Sequence, residues 1–331
     1  MNGEKQRAVR IDRTGGPEVM QLADVRVGDP GPGEVRIRHH AIGLNFLDLY
    51  HRTGLIGLPL PAHLGMEGAG VIEAAGPGVT HLQAGDRAAY AGYPAGSYSD
   101  VRVMPAMNVC RLPDEIGFDT AAAMMLKGWT AYYLLHRCKP VEGLSAGDYV
   151  LFHAAAGGVG LITTQWAKAR GLRLIGTAGT DEKCALALEH GASHAINYRR
   201  EDFVARVREI TGGKGVKVVY DGVGKDTFEP SLDCLAPFGL LVAFGDASGL
   251  APPIVPIRLV EKGSIYITYQ GLFHHIATRD STQQMADALF DVVRRGVVKI
   301  PIGQRYALAD VQQAHRDLAE RRTTGCSILL P

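Results

Sequence analysis

Phe152-His153-Ala154-Ala155-Ala156-Gly157-Gly158-Val159-Gly160 is the stretch that decides the fold of this chain. It follows a strand-like run that ends at Leu151 and opens a helix-like run from Leu161 to Arg170. Small side chains at such a junction let backbone N–H groups approach a pyrophosphate at the N-terminus of the helix. Because Ala155, Gly157 and Gly160 have the spacing of the dinucleotide fingerprint, with alanine in the first glycine position, the stretch predicts a nucleotide-binding turn.

The residues after this turn alternate between strand-like and helix-like runs. Strands are predicted at residues 172–177, 193–198, 216–220, 240–244 and 264–269. A helix is predicted to begin after Thr180, which can cap it, and to end at Gly191. Repeated β–α–β crossovers build a doubly wound parallel sheet, so the predicted fold class is α/β.

Up to about residue 111 the pattern is different. Short apolar runs at residues 34–38, 70–73, 86–90 and 98–103 alternate at period two and are separated by turns rich in glycine and proline. This spacing is typical of an antiparallel, barrel-like domain. The C-terminal residues predict helices at 281–295 and 310–321 and a strand at 326–330, and we expect them to return to this first domain.

The composition is typical of a cytoplasmic enzyme. The 331 residues carry 35 Lys and Arg against 34 Asp and Glu, so a net charge of +1 gives no electrostatic reason to expect a nucleic acid or membrane partner. The sequence has no run of about 20 apolar residues that would span a bilayer. The five cysteines are scattered, without a C-x-x-C pair, which indicates free thiols in a reducing compartment.

The end of the second predicted strand favours NADPH over NADH as the cofactor. Enzymes that use NADH usually place Asp or Glu there, about 20 residues beyond the glycines, to bind the ribose 2′-hydroxyl. This chain has Ile175-Gly176-Thr177-Ala178-Gly179-Thr180, without an acid that would repel a 2′-phosphate. Lys183 follows one turn into the next helix, where its ammonium can meet the phosphate. The alternative interpretation of Lys183 is a solvated helix residue.

Several further segments resemble one known family over essentially the whole chain. They are Gly15 to Val19, Ala41 to Asp48, Leu126-Lys127-Gly128, His153 to Gly160, Ile196-Asn197-Tyr198 and Val219-Tyr220-Asp221. Together they resemble the zinc-free NADPH:quinone oxidoreductases of the medium-chain dehydrogenase/reductase superfamily, which include ζ-crystallin. The resemblance implies a GroES-like, mainly-β catalytic domain at residues 1–127 and 268–331 and a Rossmann NADPH-binding domain at residues 128–267. It also implies a homodimer and a quinone or related small molecule as electron acceptor.

The resemblance assigns roles to individual residues. Asn45 and Tyr50 correspond to catalytic positions that face the nicotinamide, and Asn45 also contacts the cofactor. The other implied cofactor contacts are Tyr133, the pyrophosphate turn at Ala156, Gly157, Gly158 and Val159, the adenosine-phosphate pocket at Gly179, Lys183, Tyr198 and Arg321, and the nicotinamide half at Phe244, Gly245 and Thr268. Without the resemblance, the more common interpretation of Tyr198 is a packing aromatic at a strand end, and that of Arg321 is an exposed charge at a helix end.

No metal site is expected. Zinc alcohol dehydrogenases of this superfamily carry cysteine where this chain has Asn45, histidine where it has Met66, and cysteine where it has Lys127. His190 and His194 are four residues apart, but Gly191 is predicted to end the helix between them. A zinc-free site suits quinone reduction, since a quinone is already electron-poor and has no hydroxyl proton for a Lewis acid to release.

Two other functions remain open on the sequence. One is an NADPH-dependent reductase of alkenals or enones, and the other is a non-catalytic NADPH-binding protein of crystallin or RNA-binding type. The sequence does not distinguish one-electron from two-electron transfer. The chain also departs from the bacterial family members at Ile56, Gly222 and Tyr269-Gln270, which leaves the size of the quinone open.

Overall fold

The structure, a computed structural model, describes residues 5–331, so the first four residues of the predicted catalytic domain lie outside the described part. The chain forms two compact units. The first extends to Trp129 and resumes over Phe273–Arg294 and Ile300–Pro331. The second consists of Thr130–Leu272 and Arg295–Lys299 and contains the predicted nucleotide-binding turn.

The N-terminal part of the chain is rich in short strands. They are β1 (Lys5–Ile11), β2 (Gln21–Arg26), β3 (Glu34–Leu44), β4 (Ala62–His63), β5 (Glu67–Ala75), β6 (Arg87–Ala91), β7 (Val101–Pro105) and β8 (Val109–Arg111). Helix α1 (Phe46–Thr53) follows β3, and the long helix α2 (Phe118–His136) follows β8.

The middle of the chain alternates between strands and helices, as predicted. In order, the elements are β9 (Tyr149–Phe152), α3 (Gly158–Ala169), β10 (Arg173–Ala178), α4 (Asp181–Glu189), β11 (His194–Asn197), α5 (Phe203–Ile210), β12 (Val216–Asp221), α6 (Phe228–Leu232), β13 (Leu235–Ala243), α7 (Ile257–Glu261), β14 (Tyr266–Tyr269) and α8 (Leu272–His275).

The C-terminal part contains α9 (Arg279–Arg294), β15 (Ile302–Ala307), α10 (Val311–Ala319) and β16 (Cys326–Leu330). Short 3₁₀ helices lie at Pro17–Val19, Ala106–Asn108 and Leu308–Asp310. The two predicted helices and the final strand are confirmed. Strand β15 is an addition that the sequence analysis did not predict.

The sheets of the first unit are mainly antiparallel, which confirms the period-two prediction. One sheet has the order β15-β16-β3-β5-β6-β8, with β7 also paired to β3, and a smaller sheet has the order β2-β1-β4. The pair of β15 with β16 is parallel. Alternate residues of β3, such as Val35 and Ile37, pack with Ile72, Tyr90 and Met104 in a buried apolar cluster.

The second unit is a doubly wound parallel sheet, as predicted. Its strand order is β11-β10-β9-β12-β13-β14. Strands β10 and β11 are added on one side of β9 and strands β12 to β14 on the other, so the strand order reverses between β9 and β12. In folds of this order, ligands bind beyond the carboxyl ends of the strands at that reversal. Its core includes Leu151, Ile175, Val219 and Leu241, one from each central strand.

Strand β13 begins earlier than the predicted run at residues 240–244. Val216 pairs with Leu235, and the register then shifts before Val218 pairs with Leu240. The irregular segment contains Pro237 and Phe238, whose φ of 61° lies in the left-handed region. A sequence pattern cannot separate such a bulge from a turn, because both favour the same residue types.

Among the described residues, no helix is long and apolar enough to cross a membrane.

Candidate active site

The predicted nucleotide-binding turn joins β9 to α3 at the centre of the parallel sheet. The backbone N of His153 donates to the carbonyl of Tyr220 at 3.1 Å, and that of Ala155 donates to the carbonyl of Thr177 at 3.0 Å. The turn is therefore fixed between the ends of β12 and β10. Ala154 has a φ of 57°, which turns the chain sharply before the helix.

The start of α3 leaves backbone donors available to a ligand. The first hydrogen bond of the helix ladder runs from the N of Leu161 to the carbonyl of Gly157 at 2.9 Å. The N–H groups of Gly158 and Val159 precede that bond, at the positive end of the helix dipole. This arrangement fits a pyrophosphate, which takes hydrogen bonds from such groups.

Gly160 permits close packing of α3 on the turn. A methyl group at this position would lie 2.6 Å from the carbonyl oxygens of both Ala154 and Ala155. At Gly157 the nearest atom to such a methyl is the Ala154 oxygen at 3.3 Å. The third small residue of the fingerprint is therefore required by packing, whereas Gly157 faces more open space.

His153 supports the turn from beneath. Its Nδ1 lies 2.9 Å from the Thr177 hydroxyl and its Nε2 lies 2.8 Å from the Ser231 hydroxyl. Ser231 donates its own proton to the carbonyl of Thr227, so His153 Nε2 is the donor and Nδ1 accepts from Thr177. Burial lowers the pKa of His153, which keeps this imidazole neutral. The sequence analysis did not single it out as a site residue.

Gly179 and Tyr198 come together beyond the ends of β10 and β11, and Lys183 lies in the first turn of α4. A methyl group at Gly179 would lie 2.8 Å from the Tyr198 hydroxyl and 3.5 Å from Nε of Arg199. Thr180 caps α4 by accepting from the backbone N of Lys183 at 3.3 Å, as predicted. Arg199 is a further cation at this place, adjacent in sequence to Tyr198, that the sequence analysis passed over.

Asp181, in the first turn of α4, is already engaged. Oδ1 of Asp181 accepts from Nδ2 of Asn197 at 2.6 Å, and its other oxygen pairs with Arg200. Because a neighbouring cation compensates this carboxylate, it opposes a 2′-phosphate less than a free acid would.

Phe244 and Gly245 follow directly on β13, and Thr268 lies in β14. The backbone N of Phe244 donates to the carbonyl of Asp221 at 2.9 Å, and the Thr268 hydroxyl accepts from the side chain of Gln270 at 2.6 Å. A methyl group at Gly222 would lie 2.9 Å from the Phe244 ring. Glycine at position 222 therefore leaves room for the Phe244 ring.

Ile56 and Tyr269 also differ from the residues of the bacterial family members, and they lie in different parts of the structure. Ile56 is 40% exposed, just beyond α1. The hydroxyl of Tyr269 donates to Asp246, which follows β13. The polar end of Tyr269 is thus engaged within the second unit.

Tyr133 lies in the second unit and is only 2% exposed. Burial raises the pKa of its hydroxyl, so it stays protonated. Arg321 lies in the first unit, two residues beyond α10, with a φ of 60°. Gly179 and Tyr198 thus lie close together within the second unit, whereas Arg321 belongs to the first.

Asn45 and Tyr50 are held by α1 in the first unit. Asn45 precedes the first residue of the helix, and its backbone N donates to Oδ2 of Asp48 at 2.9 Å. Tyr50 is half-buried, and its ring centroid lies 6.5 Å from that of Phe46.

The side chain of Asn45 lies beside a buried ion pair between Glu67 and Lys127. The sequence analysis did not predict this pair, and it named Lys127 only as a residue that replaces a zinc-binding cysteine. Oε2 of Glu67 accepts from Nδ2 of Asn45 at 2.9 Å and from Nζ of Lys127 at 3.1 Å. Oε1 of Glu67 accepts from the backbone N of Leu126 at 2.9 Å. Burial on its own would lower the pKa of Lys127, but the attraction of Glu67 outweighs it and the pKa is raised.

Asp48 belongs to the same buried network. Its Oδ2 accepts from the hydroxyl of Tyr98 at 2.8 Å, and that hydroxyl lies 3.1 Å from Nε2 of His315 on α10. Burial raises the pKa of Asp48 to about 7, although hydrogen bonds from Tyr98 and Asn45 act in the other direction.

Comparison with known proteins places the chain in a family. Residues 31–114 match the family described as alcohol dehydrogenase GroES-like domain, and residues 158–293 match the one described as zinc-binding dehydrogenase. A quinone oxidoreductase of Pseudomonas aeruginosa is 52% identical over 326 residues, which cover 98% of this chain and 99% of the relative. The chain belongs to the quinone oxidoreductase family of the medium-chain dehydrogenase/reductase superfamily.

Other members of the quinone oxidoreductase family and their neighbours agree with this placement. The crystal structure of Escherichia coli quinone oxidoreductase complexed with NADPH matches with a TM-score of 0.96 and 46% identity, covering 98% of this chain and 100% of that one. A 2-haloacrylate reductase of a Burkholderia species is 45% identical over 335 residues, 98% of each chain. The predicted family and fold class, a Rossmann sheet with a GroES-like domain, are confirmed.

Proposed function

We propose that this protein is an NADPH:quinone oxidoreductase. The observation that carries the proposal is the 52% identity to a quinone oxidoreductase across 98% of the chain. The dinucleotide turn, with its free helix donors at Gly158 and Val159, supplies a matching cofactor site. The Rossmann domain at residues 128–267 binds the cofactor, and the GroES-like domain at residues 1–127 and 268–331 carries the catalytic residues.

NADPH is the cofactor in this proposal because the 2′-phosphate end is cationic. Arg199 lies near Gly179, Lys183 lies in the first turn of α4, and the carboxylate of Asp181 is engaged by Asn197 and Arg200. Tyr198 packs over Gly179, and the family resemblance assigns Arg321 to the 2′-phosphate as a further cation. NADPH supplies the hydride when it is bound.

The chain's own residues bind and orient the reactants. Ala156, Gly157, Gly158 and Val159 hold the pyrophosphate, and Tyr133, Phe244, Gly245 and Thr268 line the nicotinamide half. Asn45 and Tyr50 are the catalytic residues, which orient the nicotinamide amide and hydrogen-bond an acceptor oxygen.

The mechanism we propose uses no zinc. Asn45, Met66 and Lys127 occupy the positions of the zinc ligands in related alcohol dehydrogenases. The Lys127 ammonium would repel a cation, and its Glu67 partner is engaged by three donors. Among residues 5–331, no group of three or more His, Cys, Asp and Glu side chains could hold a metal ion.

We also propose a cytoplasmic homodimer that joins through β14. This strand is the last of the parallel sheet, so a second copy could add a strand beside it. Tyr266 and Tyr269 of β14 are 46% and 58% exposed, and Ile257 and Val260 of α7 are 59% and 63% exposed. Light scattering of the purified chain should give twice the chain mass, and Tyr266→Lys should shift it toward monomer. A wild-type monomer at micromolar concentration contradicts the dimer.

A panel of acceptors tests the function. NADPH oxidation is followed with 1,2-naphthoquinone, benzoquinone, an enone and 2-chloroacrylate. The second candidate, an activated-alkene reductase, is favoured by the identity to 2-haloacrylate reductase. Fast quinone turnover supports the proposal, whereas fast alkene turnover with negligible quinone turnover reverses it. Tight NADPH binding without turnover of any acceptor indicates the non-catalytic alternative, of crystallin or RNA-binding type.

A further inference from the structure

The carboxylate of Glu67 sits in a space that only glycine leaves open. A methyl group at Gly43 would lie 2.1 Å from Oε2 of Glu67 and 2.4 Å from the carbonyl oxygen of Ala122. Glu67 itself is fully buried, and Lys127 is 6% exposed. The neighbouring strand β3 thus approaches the ion pair closely enough to fix its position.

Stability alone is a weak reason to bury such a pair. Taking two charges out of water is costly, and replacing a buried ion pair by apolar residues of similar volume is often neutral or stabilising. Removing only one partner is destabilising because it leaves the other charge unpaired. The pair therefore points to a role that an apolar pair would not perform.

That role follows from the hydrogen bond between Asn45 and Glu67. Both oxygens of Glu67 accept hydrogen bonds, Oε1 from the backbone N of Leu126 and Oε2 from Nζ of Lys127. The Asn45 amide therefore turns its NH₂ group toward Glu67 and its oxygen elsewhere. Lys127 holds the Glu67 carboxylate in place as an acceptor and thereby fixes which atom Asn45 presents.

We infer that Glu67 and Lys127 are positioning residues that hold the Asn45 amide in one orientation for hydride transfer to the quinone. The inference rests on the proposed function and on the catalytic role of Asn45. It extends them by assigning a function to two buried residues that the proposed function left without one.

A cycle of variants tests it on the NADPH-bound enzyme. Asn45→Ala is compared with the double variant Glu67→Met/Lys127→Met and with the triple variant that combines all three changes. The double variant removes both charges, so no buried charge is left unpaired. We expect it to unfold near the wild-type temperature while kcat falls by about 10- to 100-fold, as expected for a misplaced catalytic group.

The cycle separates positioning from general damage. If the pair acts through Asn45, the triple variant should be no slower than Asn45→Ala alone, because the two losses are not additive. Glu73→Gln is the matched control on the same strand, since Glu73 pairs with Arg36 away from Asn45. It should leave kcat unchanged.

Three results overturn the inference: wild-type kcat in the double variant, wild-type kcat in Asn45→Ala, or additive losses in the triple variant. If the double variant does not fold, the nearly isosteric Glu67→Gln combined with Lys127→Met takes its place, because it too leaves no buried charge unpaired. The same comparison with Asn45→Ala/Glu67→Gln/Lys127→Met then applies. Absence of quinone turnover in the wild type overturns the proposed function instead, and with it the inference.

Discussion

In the nucleotide-binding turn, alanine at Gly160 should lower stability, whereas alanine at Gly157 should weaken NADPH binding. In Gly160→Ala the new methyl would lie 2.6 Å from two carbonyl oxygens. Carbon and oxygen atoms normally approach to about 3.3 Å, so the turn or the helix has to move by roughly 0.7 Å. Overpacking of this kind costs about 1–3 kcal/mol. Because the methyl meets two oxygens at once, the upper part of that range, about 2–3 kcal/mol, applies. Alanine regains about 1 kcal/mol as the better helix former, so a net loss of about 1–2 kcal/mol remains.

In Gly157→Ala the new methyl meets only one oxygen, at 3.3 Å, and the backbone there is extended with φ of −80°. We therefore expect a stability change below about 0.5 kcal/mol. The methyl would, however, stand where the pyrophosphate approaches the backbone. The dissociation constant for NADPH should rise about tenfold or more, which corresponds to about 1.4 kcal/mol.

Calorimetric unfolding and titration calorimetry with NADPH measure the two effects side by side. For a unit of this size, about 1–2 kcal/mol corresponds to a lowering of Tm by about 2–8 °C in Gly160→Ala. Gly157→Ala should keep the wild-type Tm and lose affinity. An unchanged or raised Tm in Gly160→Ala refutes the packing argument, and unchanged NADPH affinity in Gly157→Ala refutes the assignment of the pyrophosphate site.

Three further predictions concern the cofactor, the metal and pH. Lys183→Ala should weaken NADPH binding by about 10- to 100-fold and leave NADH binding unchanged, and equal effects on both would exclude a phosphate contact. Elemental analysis of protein purified without chelator should find no stoichiometric zinc, whereas one zinc per chain would contradict a metal-free site. Burial raises the pKa of Asp48 to about 7, so native Asp48 keeps a proton that the unfolded chain has lost. Its contribution therefore lowers the free energy of unfolding as pH rises from about 4 to 7. Urea unfolding should show Asp48→Asn becoming more stable relative to the wild type over that range. A constant difference in the free energy of unfolding between about pH 5 and 8 would refute this.

Local patterns were sufficient where neighbouring residues determine the structure. The turn from His153 to Gly160, the cap at Thr180 and the break at Gly191 depend on backbone conformation and short-range hydrogen bonds, and all three are found as predicted. Strand β15 and the early start of β13 were not predicted. The start of β13 is set by pairing with β12, and β15 is set by pairing with β16, each about 20 residues away in the sequence. The bulge in β13 also has the residue types of a turn, so its sequence predicts a turn there.

Some features of the candidate site likewise follow from local sequence, and others depend on the tertiary structure. The sequence by itself determined the dinucleotide fingerprint, the lack of an acid after β10, and the family to which the chain belongs, because these are properties of contiguous residues. Only the tertiary structure decided that Glu67, Lys127 and Asn45 meet, that His153 supports the turn as a neutral imidazole, and that Asp181 is compensated by Arg200. Such charges and hydrogen bonds act over a few ångströms, and residues separated by 19 to 78 positions reach that distance only after the sheets have formed.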